Sequence, residues 1–345
     1  MTDPEAARYL LPEEENRRIF RARIVPQLLA GRDQRDVPTV VFLVGQPGAG
    51  KSRVTAMVAE VLNKRGGFID VDSDLYKPFH PEYDRLMQQD DKLMAAMTRA
   101  DGRRWMAQAH EYVRDNKINA VIQETSQDGA AVAATMQAYR GAGFRVEVMA
   151  MGVSAAMSNQ GIISRYFEQV RDRGQGRLTV QANADQSYTG ILDLADRIDA
   201  DRLAHETGVY RRGEGTPRYS NALDAAGQWA QPPAMRAAIE TERGRPWTNQ
   251  ECMDFLTAHQ ELRQGLGVEW TERLDVVLDQ ARPLMSPPAR EAADRIVESA
   301  AAAALAAEGF PGTVSERLSA NRQTQPEQGV DRPQGKTADG PEQGR

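Results

Sequence analysis

The sequence predicts an α/β fold, with a mainly parallel sheet flanked by helices and a C-terminal all-helical extension. Short apolar runs alternate with helical patterns up to about residue 205, which is typical of consecutive βαβ units. No convincing strand pattern follows residue 215, where Pro and Gly separate stretches of helical periodicity. The chain has 345 residues, which is long enough for two domains or one large one.

Four segments are expected along the chain. In the first, "EENRRIFRARIVPQLLAG" carries apolar residues at near-helical spacing and a glycine as a stop signal, which predicts a helical leader. The last is rich in Gln, Pro and Gly and has almost no apolar residue, which is typical of disorder. The predicted leader, α/β domain, helical extension and disordered tail span, in order, residues 1–38, 39–215, 216–320 and 321–345.

The α/β domain is predicted to contain four strands. Each is a short apolar run of the kind found in buried parallel sheets: "PTVVFLVG", "GFIDVDSD", "NAVIQETS" and "FRVEVMAMGV". The stretch 154–205 is predicted to be mostly helical, with an interruption near "RGQGRL". In open α/β sheets, ligands bind at the edge where the carboxyl ends of the strands meet.

Composition excludes several classes of function. The net charge of -6 argues against a protein that mainly binds nucleic acid, for which a basic surface is expected. Cys252 is the only cysteine, so we expect neither a disulfide framework nor a cysteine zinc site. No apolar run approaches the ~18 residues of a membrane span, and the N-terminus lacks the pattern of a signal peptide. We therefore expect a cytoplasmic protein with no membrane or nucleic-acid partner.

The stretch "VGQPGAGKS" joins the first predicted strand to a helix and fits the pattern G-x-x-x-x-G-K-[ST]. Its glycines let successive backbone N–H groups point at a phosphate, and the following helix presents its positive end to the same anion. Lys51 would reach the β- and γ-phosphates, and the Ser52 hydroxyl would ligate Mg²⁺. The motif predicts a P-loop NTPase-like fold that binds ATP or GTP. The candidate nucleotide contacts are Gly45, Gln46, Pro47, Gly48, Ala49, Gly50, Lys51 and Ser52.

Acidic side chains follow the second and third predicted strands. Asp72 and Asp74 lie at the edge where ligands bind, and a carboxylate there can accept the proton of an attacking hydroxyl. A turn or a helix cap explains the same aspartates without catalysis. Glu124 and Thr125 either hydrogen-bond a polar substrate or form a polar strand exit. His80 precedes a proline, and a histidine in such a turn is more often structural than catalytic.

Two arginines flank a glycine-bearing break in the helical stretch "ISRYFEQVRDRGQGRLT". Phosphoryl transfer needs cations on the transferred group, because charge spreads over its oxygens in the transition state. Arg165 and Arg177 can supply them from a mobile lid. Solvated helix arginines are the alternative explanation.

In this order, the stretches resemble the zeta-toxin family of P-loop kinases over roughly residues 20–210. In that family the phosphate loop is followed by D-x-D-x-x-[KR]-x-x-H-P. A strand ending in Glu-Thr comes next, then an Arg-Tyr-Glu-like element and a second arginine. The matching residues here are Asp72, Asp74, Lys77, His80, Pro81, Glu124, Thr125, Arg165, Tyr166 and Arg177.

The resemblance implies a kinase that uses ATP and Mg²⁺. Members of the family transfer the γ-phosphate of ATP to a sugar hydroxyl of UDP-N-acetylglucosamine, and the product poisons peptidoglycan synthesis. By this resemblance Lys51 binds the phosphates, Ser52 binds the metal and Asp74 is the base on the sugar hydroxyl. Arg165 and Arg177 would hold the transferred group. The implied substrate contacts are Asp72, Asp74, His80, Glu124 and Thr125, with a further acid among Asp90, Asp91 and Asp101.

The resemblance also implies a partner. Toxins of this type are neutralised by a helical antitoxin that blocks the nucleotide site, and the helical extension or the leader could act in the same way in cis. Two other functions stay open: a P-loop kinase for another small acceptor, such as a nucleotide or an antibiotic, and a nucleotide-switched interaction protein that works through its helical extension. The presence of Asp74 together with paired arginines favours a kinase.

Overall fold

The structure is a computed structural model that divides into two compact units, Met1–Asp294 and Arg295–Arg345. The first contains the sheet and the candidate site, and the second contains the end of the last helix. Side chains are described as far as residue 299. The backbone is described for residues 6–89, 94, 96–174, 176 and 178–309.

A six-stranded sheet lies at the centre of the first unit, with the strand order β2-β3-β1-β4-β5-β6. All neighbouring strands are parallel except β5 and β6. Every residue of β1 is buried, which is the pattern of a central strand covered on both faces. The strands are β1 Thr39–Val44, β2 Ile69–Val71, β3 Ala120–Glu124, β4 Arg145–Met151, β5 Glu206–Tyr210 and β6 Pro217–Ala222.

Helices flank the sheet and form the C-terminal part of the chain. A π-helix, Phe20–Leu29, continues the first α-helix and contains Pro26. None of the helices in the described part of the chain has the length and apolar character that crossing a membrane requires. The α-helices are α1 Glu13–Ile19, α2 Ser52–Asn63, α3 Ser73–Tyr76, α4 Tyr83–Gln89, α5 Arg99–Asp115, α6 Gly129–Gly141, α7 Ala155–Arg173, α8 Gln181–Asp201, α9 Met235–Gly244, α10 Asn249–Gly265, α11 Thr271–Ala281 and α12 Pro287–Gly309.

The predicted fold class is confirmed, because a mainly parallel sheet is flanked by helices and followed by a helical C-terminal part. The expectation that no strand follows residue 215 is wrong. β6 pairs antiparallel with β5, which is also absent from the predicted strands. The residues of β6, "PRYSNA", are mostly polar and alternate in exposure because this strand lies at the sheet edge.

Both ends of the first unit pack against its α/β part. Near the N-terminus, Ile19, Phe20, Ile24 and Leu29 are buried in the main hydrophobic core. Near the C-terminus, α9 packs on α8 and β5, while α10 and α11 pack on α7. The predicted segment boundaries stay predictions, and the predicted tail 321–345 lies outside the described residues.

The order of the strands positions the phosphate loop. β1 lies between β3 and β4. The chain first forms β2 and β3 on one side of β1 and then crosses over to form β4, β5 and β6 on the other side. This is the topological switch point at which open α/β sheets bind ligands. Val44 at the end of β1 pairs with Glu124 at the end of β3, and Val71 at the end of β2 pairs with Ile122. The loop after β1 and the acids after β2 and β3 therefore share one sheet edge.

Candidate active site

The loop between β1 and α2 has the curvature of a phosphate-binding loop. Gly48 and Gly50 have φ angles of +76° and +79°, a region that side chains disfavour. A Cβ atom at Gly48 would lie 2.0 Å from the carbonyl oxygen of Ser158 in α7, so only glycine fits there. The Gly45 N–H donates to the carbonyl of Glu124 at 3.1 Å. The loop is thus seated against both α7 and the end of β3.

Gln46 holds this loop from behind. Its side chain is buried, and its Nε2 donates to the carbonyl of Val153 at 2.9 Å and to Oγ of Ser158 at 2.7 Å. Its Oε1 accepts a hydrogen bond from Nη2 of Arg243 at 3.3 Å. The side chain of Gln46, predicted as a nucleotide contact, is therefore directed into the protein.

Lys51 lies where the loop meets α2. Its Nζ donates to the carbonyl of Gly45 at 2.6 Å, across the curl of the loop. Burial lowers the pKa of Lys51 to about 8, and the charge of Arg165 acts in the same direction. The carboxylates of Asp72 and Glu124 oppose this shift, which places both acids within electrostatic reach of the lysine. A bound polyphosphate would favour the charged ammonium in the same way.

The acids at the sheet edge have different environments. The side chain of Asp72 accepts the N–H of Asp74 at 2.8 Å and caps α3, and the residue also lines the cavity described below. The side chain of Asp74 is 47% exposed and forms an ion pair with Lys77. Burial raises the pKa of Glu124 to about 7, against the opposing charge of Lys51. Burial, followed by the charge of Asp72, raises the pKa of Asp70 to about 6.

Most of the predicted site residues line one cavity of about 660 Å³. It is formed by the phosphate loop, the ends of β2 and β3, and side chains of α3, α5 and α7. The cavity therefore brings a phosphate loop and an exposed carboxylate together. The predicted residues in its lining are Pro47, Gly48, Ala49, Gly50, Lys51, Ser52, Asp72, Asp74, Glu124, Thr125 and Arg165.

Three lining arginines are missed by the sequence analysis. Arg99 and Arg103 lie one turn apart in α5 and line the cavity together with Lys77. A Cβ atom at Gly102, which lies between them, would come within 3.7 Å of the Cγ of Lys77. Arg212 follows β5, lies against the loop glycine Gly50, and donates to two carbonyls, one in the loop and one in α7. The i, i+4 spacing of Arg99 and Arg103 is a signal, but solvated helix arginines show the same spacing.

His80 and Asp101 form contacts with the N-terminal segment of the chain. They are not among the described residues that line the cavity. The His80 ring is fully buried, and its Nε2 lies 3.1 Å from the carbonyl oxygen of Tyr9 and 3.5 Å from Asp101. Asp101 accepts hydrogen bonds from the backbone N–H of Leu11 at 3.0 Å and from Nδ2 of Asn16 at 2.7 Å. The two residues tie the N-terminal segment to the turn before α4 and to α5. This geometry does not support the predicted substrate contact of His80.

Ser52 is the predicted metal ligand, and its surroundings fit Mg²⁺. It is exposed at the first turn of α2 and shares the cavity with carboxylates, and hydroxyl and carboxylate oxygens suit this hard cation. The described residues contain no cluster of three or more His, Cys, Asp or Glu side chains able to hold a metal by themselves. A magnesium ion here would therefore depend on phosphate oxygens as well. Arg177, Asp90 and Asp91 lie outside the described residues.

Comparison with known proteins identifies the family and the fold. The family model described as Zeta toxin matches residues 27–224. Toxin zeta of Enterococcus hirae is 24% identical over 201 residues, covering 56% of this chain and 68% of that protein. Toxin PezT of Streptococcus pneumoniae is 21% identical over 221 residues, covering 61% of this chain and 87% of that protein.

A solved structure shows the same fold. It comes from the characterisation of the PezAT chromosomal toxin-antitoxin system of Streptococcus pneumoniae, and it superposes with a TM-score of 0.62. The sequence identity is 16%, and the match covers 74% of this chain and 98% of that chain. The family model covers more than half of the present chain, and the fold agrees with it. The chain belongs to the zeta toxin family and has its kinase-like P-loop fold.

Proposed function

We propose that this protein is an ATP-dependent kinase that phosphorylates a sugar hydroxyl of UDP-N-acetylglucosamine and acts as the toxin of a toxin-antitoxin system. One observation carries the proposal. A single cavity combines the phosphate loop with Asp74 and with a cationic wall formed by Lys77, Arg99 and Arg103. A triphosphate on the loop and a phosphate-bearing acceptor on this wall would meet at the carboxylate of Asp74.

The loop side of the cavity supports ATP binding. The positive φ angles of Gly48 and Gly50 create the curved backbone that surrounds a phosphate, and α2 directs its positive end to the same place. The Lys51 ammonium and the Arg165 guanidinium add positive charge near the terminal phosphates. Arg212 lies against the outer side of the loop.

The transfer step assigns the proton to Asp74. Its carboxylate would accept the proton of the acceptor hydroxyl while the new bond forms between the hydroxyl oxygen and the γ-phosphorus. The bond from the γ-phosphorus to the bridging oxygen breaks, and ADP leaves. Arg165 would stabilise the charge on the transferred oxygens. Mg²⁺, held through the Ser52 hydroxyl and the phosphates, supplies further positive charge when bound.

The acceptor side of the cavity supports an anionic acceptor. Lys77 is paired with Asp74, whereas the side chains of Arg99 and Arg103 form no ion pair or hydrogen bond with another described residue. A diphosphate would give both guanidinium groups a counter-charge in the bidentate geometry that arginine favours. A neutral or cationic acceptor would not. This supports a nucleotide-sugar acceptor over a cationic antibiotic.

We propose that a separate antitoxin protein neutralises this toxin. The structural relative comes from a toxin-antitoxin system, which supports a partner of that kind. In this chain, no described residue of the N-terminal segment 6–38 or of the C-terminal segment 223–299 lines the cavity. The described parts of the leader and of the helical extension thus lend no support to inhibition in cis.

Product analysis tests the proposal. The purified chain would be incubated with ATP, Mg²⁺ and UDP-N-acetylglucosamine, and mass spectrometry would detect one added phosphoryl group on the sugar nucleotide. We expect this product from the wild type and far less of it from Asp74→Asn. If the protein binds ATP but forms no such product, UDP-N-acetylglucosamine is not the acceptor, and the nucleotide-binding part of the proposal stands. Expression in growing bacteria tests the toxin role separately, since the wild type should arrest growth and Asp74→Asn should not.

A further inference from the structure

Arg243 belongs to the C-terminal helices, and its guanidinium contacts the phosphate loop on the side that faces the protein interior. It lies in α9, and only 6% of the residue is exposed. Its Nη2 donates to Oε1 of Gln46 at 3.3 Å, and its Nη1 donates to the carbonyl of Tyr188 in α8 at 2.8 Å. The guanidinium carbon lies 3.7 Å from the centroid of the Tyr188 ring. The loop, α8 and α9 therefore meet at one cation.

Among the described residues, Arg243 forms no ion pair with a carboxylate, although the charge of Glu240 in the same helix acts on its guanidinium. Its Nε is buried without a hydrogen-bond acceptor, and its other contacts are a neutral amide, a carbonyl and an aromatic ring. Neighbouring arginines differ, because Arg211 and Arg245 both pair with Glu242 at 2.9 Å. A buried charge is costly unless it is compensated, and a tyrosine ring compensates only part of that cost. The hydrogen bonds to Gln46 and to the Tyr188 carbonyl therefore carry much of that compensation.

Gln46 connects this cation to the loop. While its Oε1 accepts from Arg243, its Nε2 donates to Val153 and to Ser158, so its amide is held from three directions. Val153 and Ser158 follow β4 and belong to the α/β part, whereas Arg243 comes from a helix beyond residue 224, where the family match ends. Arg243 itself does not line the cavity and cannot touch a bound nucleotide there.

We propose that Arg243 is a positioning residue of the nucleotide site, which fixes the phosphate loop through its hydrogen bond to Gln46. This inference rests on the nucleotide-binding part of the proposed function and is independent of the acceptor. It makes the C-terminal helices contributors to ATP affinity rather than an accessory to a complete α/β domain.

A double-mutant cycle on ATP binding tests the inference. The dissociation constant of ATP would be measured by calorimetry for the full chain, for Arg243→Met, for Gln46→Ala and for the double variant. We expect each single variant to raise the constant about tenfold, and the double variant to raise it little further, because both changes remove the same link. Arg243→Lys retains the charge but loses the planar fork, so its constant should lie between those of the wild type and Arg243→Met.

Arg236→Met is the matched control, because Arg236 lies on the same helix and pairs with Asp196 at the surface. It should leave ATP affinity unchanged. A folded Arg243→Met with wild-type affinity, or a double variant whose effects multiply to about a hundredfold, would overturn the inference. If Arg243→Met does not fold, the test is made with Arg243→Lys. Wild-type ATP affinity of that variant would overturn the inference. If the wild type itself does not bind ATP, the nucleotide part of the proposed function fails as well, which separates the two failures.

Discussion

The carboxylate of Asp74 is the residue on which the proposed chemistry depends. Asp74→Asn keeps the shape of the side chain and removes the proton acceptor, so transfer should fall roughly 10²–10⁴-fold. ATP affinity should stay within about twofold, because the phosphate loop is unchanged. Product formation followed by mass spectrometry and ATP binding followed by calorimetry measure the two effects. Asp84→Asn, at a position in α4 away from the cavity, is the control, and full activity of Asp74→Asn would refute the assigned role.

Lys51 should make the proposed ATP binding depend on pH. Burial lowers its pKa to about 8 in the free protein, so the side chain is charged below pH 8 and loses its proton above it. ATP favours the charged form, so the dissociation constant should rise by up to about tenfold per pH unit above pH 8, and binding there should take up a proton. Calorimetry in buffers of different ionisation enthalpy measures this uptake. A Lys51→Arg variant should show a flatter profile, and a wild-type affinity that stays constant from about pH 7 to well above the pKa of Lys51 would contradict the prediction.

At the residue scale, the sequence predicts the groups whose chemistry is local. The phosphate loop and Asp74 lie in short motifs whose residue types have a specific chemical use. Arg99 and Arg103 are not predictable in this way, because their position in the cavity depends on how α5 packs against α3. His80 is the opposite case, because a motif points to it although it is not among the described residues that line the cavity. It lies in a motif of the family, yet its contacts with Tyr9 and Asp101 come from distant parts of the chain.

At the scale of elements, the phosphate loop packs closely against α7 at Gly48. Gly48→Ala would place a Cβ atom 2.0 Å from the Ser158 carbonyl, so the loop or the helix has to move, and ATP binding should weaken at least about tenfold. Gly227→Ala is the control, because Gly227 has a φ of +72° but no atom within 4 Å of the position that a Cβ atom would take. It should cost stability of about 1 kcal/mol and leave ATP affinity unchanged. Equal ATP affinities for the two variants would refute the role of this contact.

The elements that the sequence predicts well are buried and continuous. β1 consists of six buried residues, and its apolar run is visible without any tertiary information. β5 and β6 are harder to predict. β5 begins with an exposed residue, so its apolar run is short. β6 is a polar strand at the sheet edge, where β5 is the strand that it pairs with. Missing β5 also hides Arg212, which reaches the phosphate loop only because β5 ends beside β4.

At the scale of the whole molecule, the C-terminal helices either support the α/β part of the fold or inhibit the site in cis. They bury Ile239, Phe255 and Leu278 against neighbouring elements, so a chain ending at Ala222 should lose ATP binding and growth inhibition together. Growth assays of the full and truncated chains, with ATP binding measured on both proteins, test this. The full-length Asp74→Asn chain is the non-toxic standard. A truncated chain that is more toxic than the full chain would instead establish that the extension inhibits in cis.

The hydrogen bond between Gln46 and Arg243 spans 197 residues of sequence, and this separation has a consequence in time. A ribosome adds ~5–20 residues per second, so roughly 10–40 s pass between the synthesis of the loop and the synthesis of the arginine behind it. During that interval the nascent chain already contains Lys51 and Asp74 but not the helix that closes the back of the loop. The proposed nucleotide site is thus begun early in translation and completed only after the whole sheet has been synthesised.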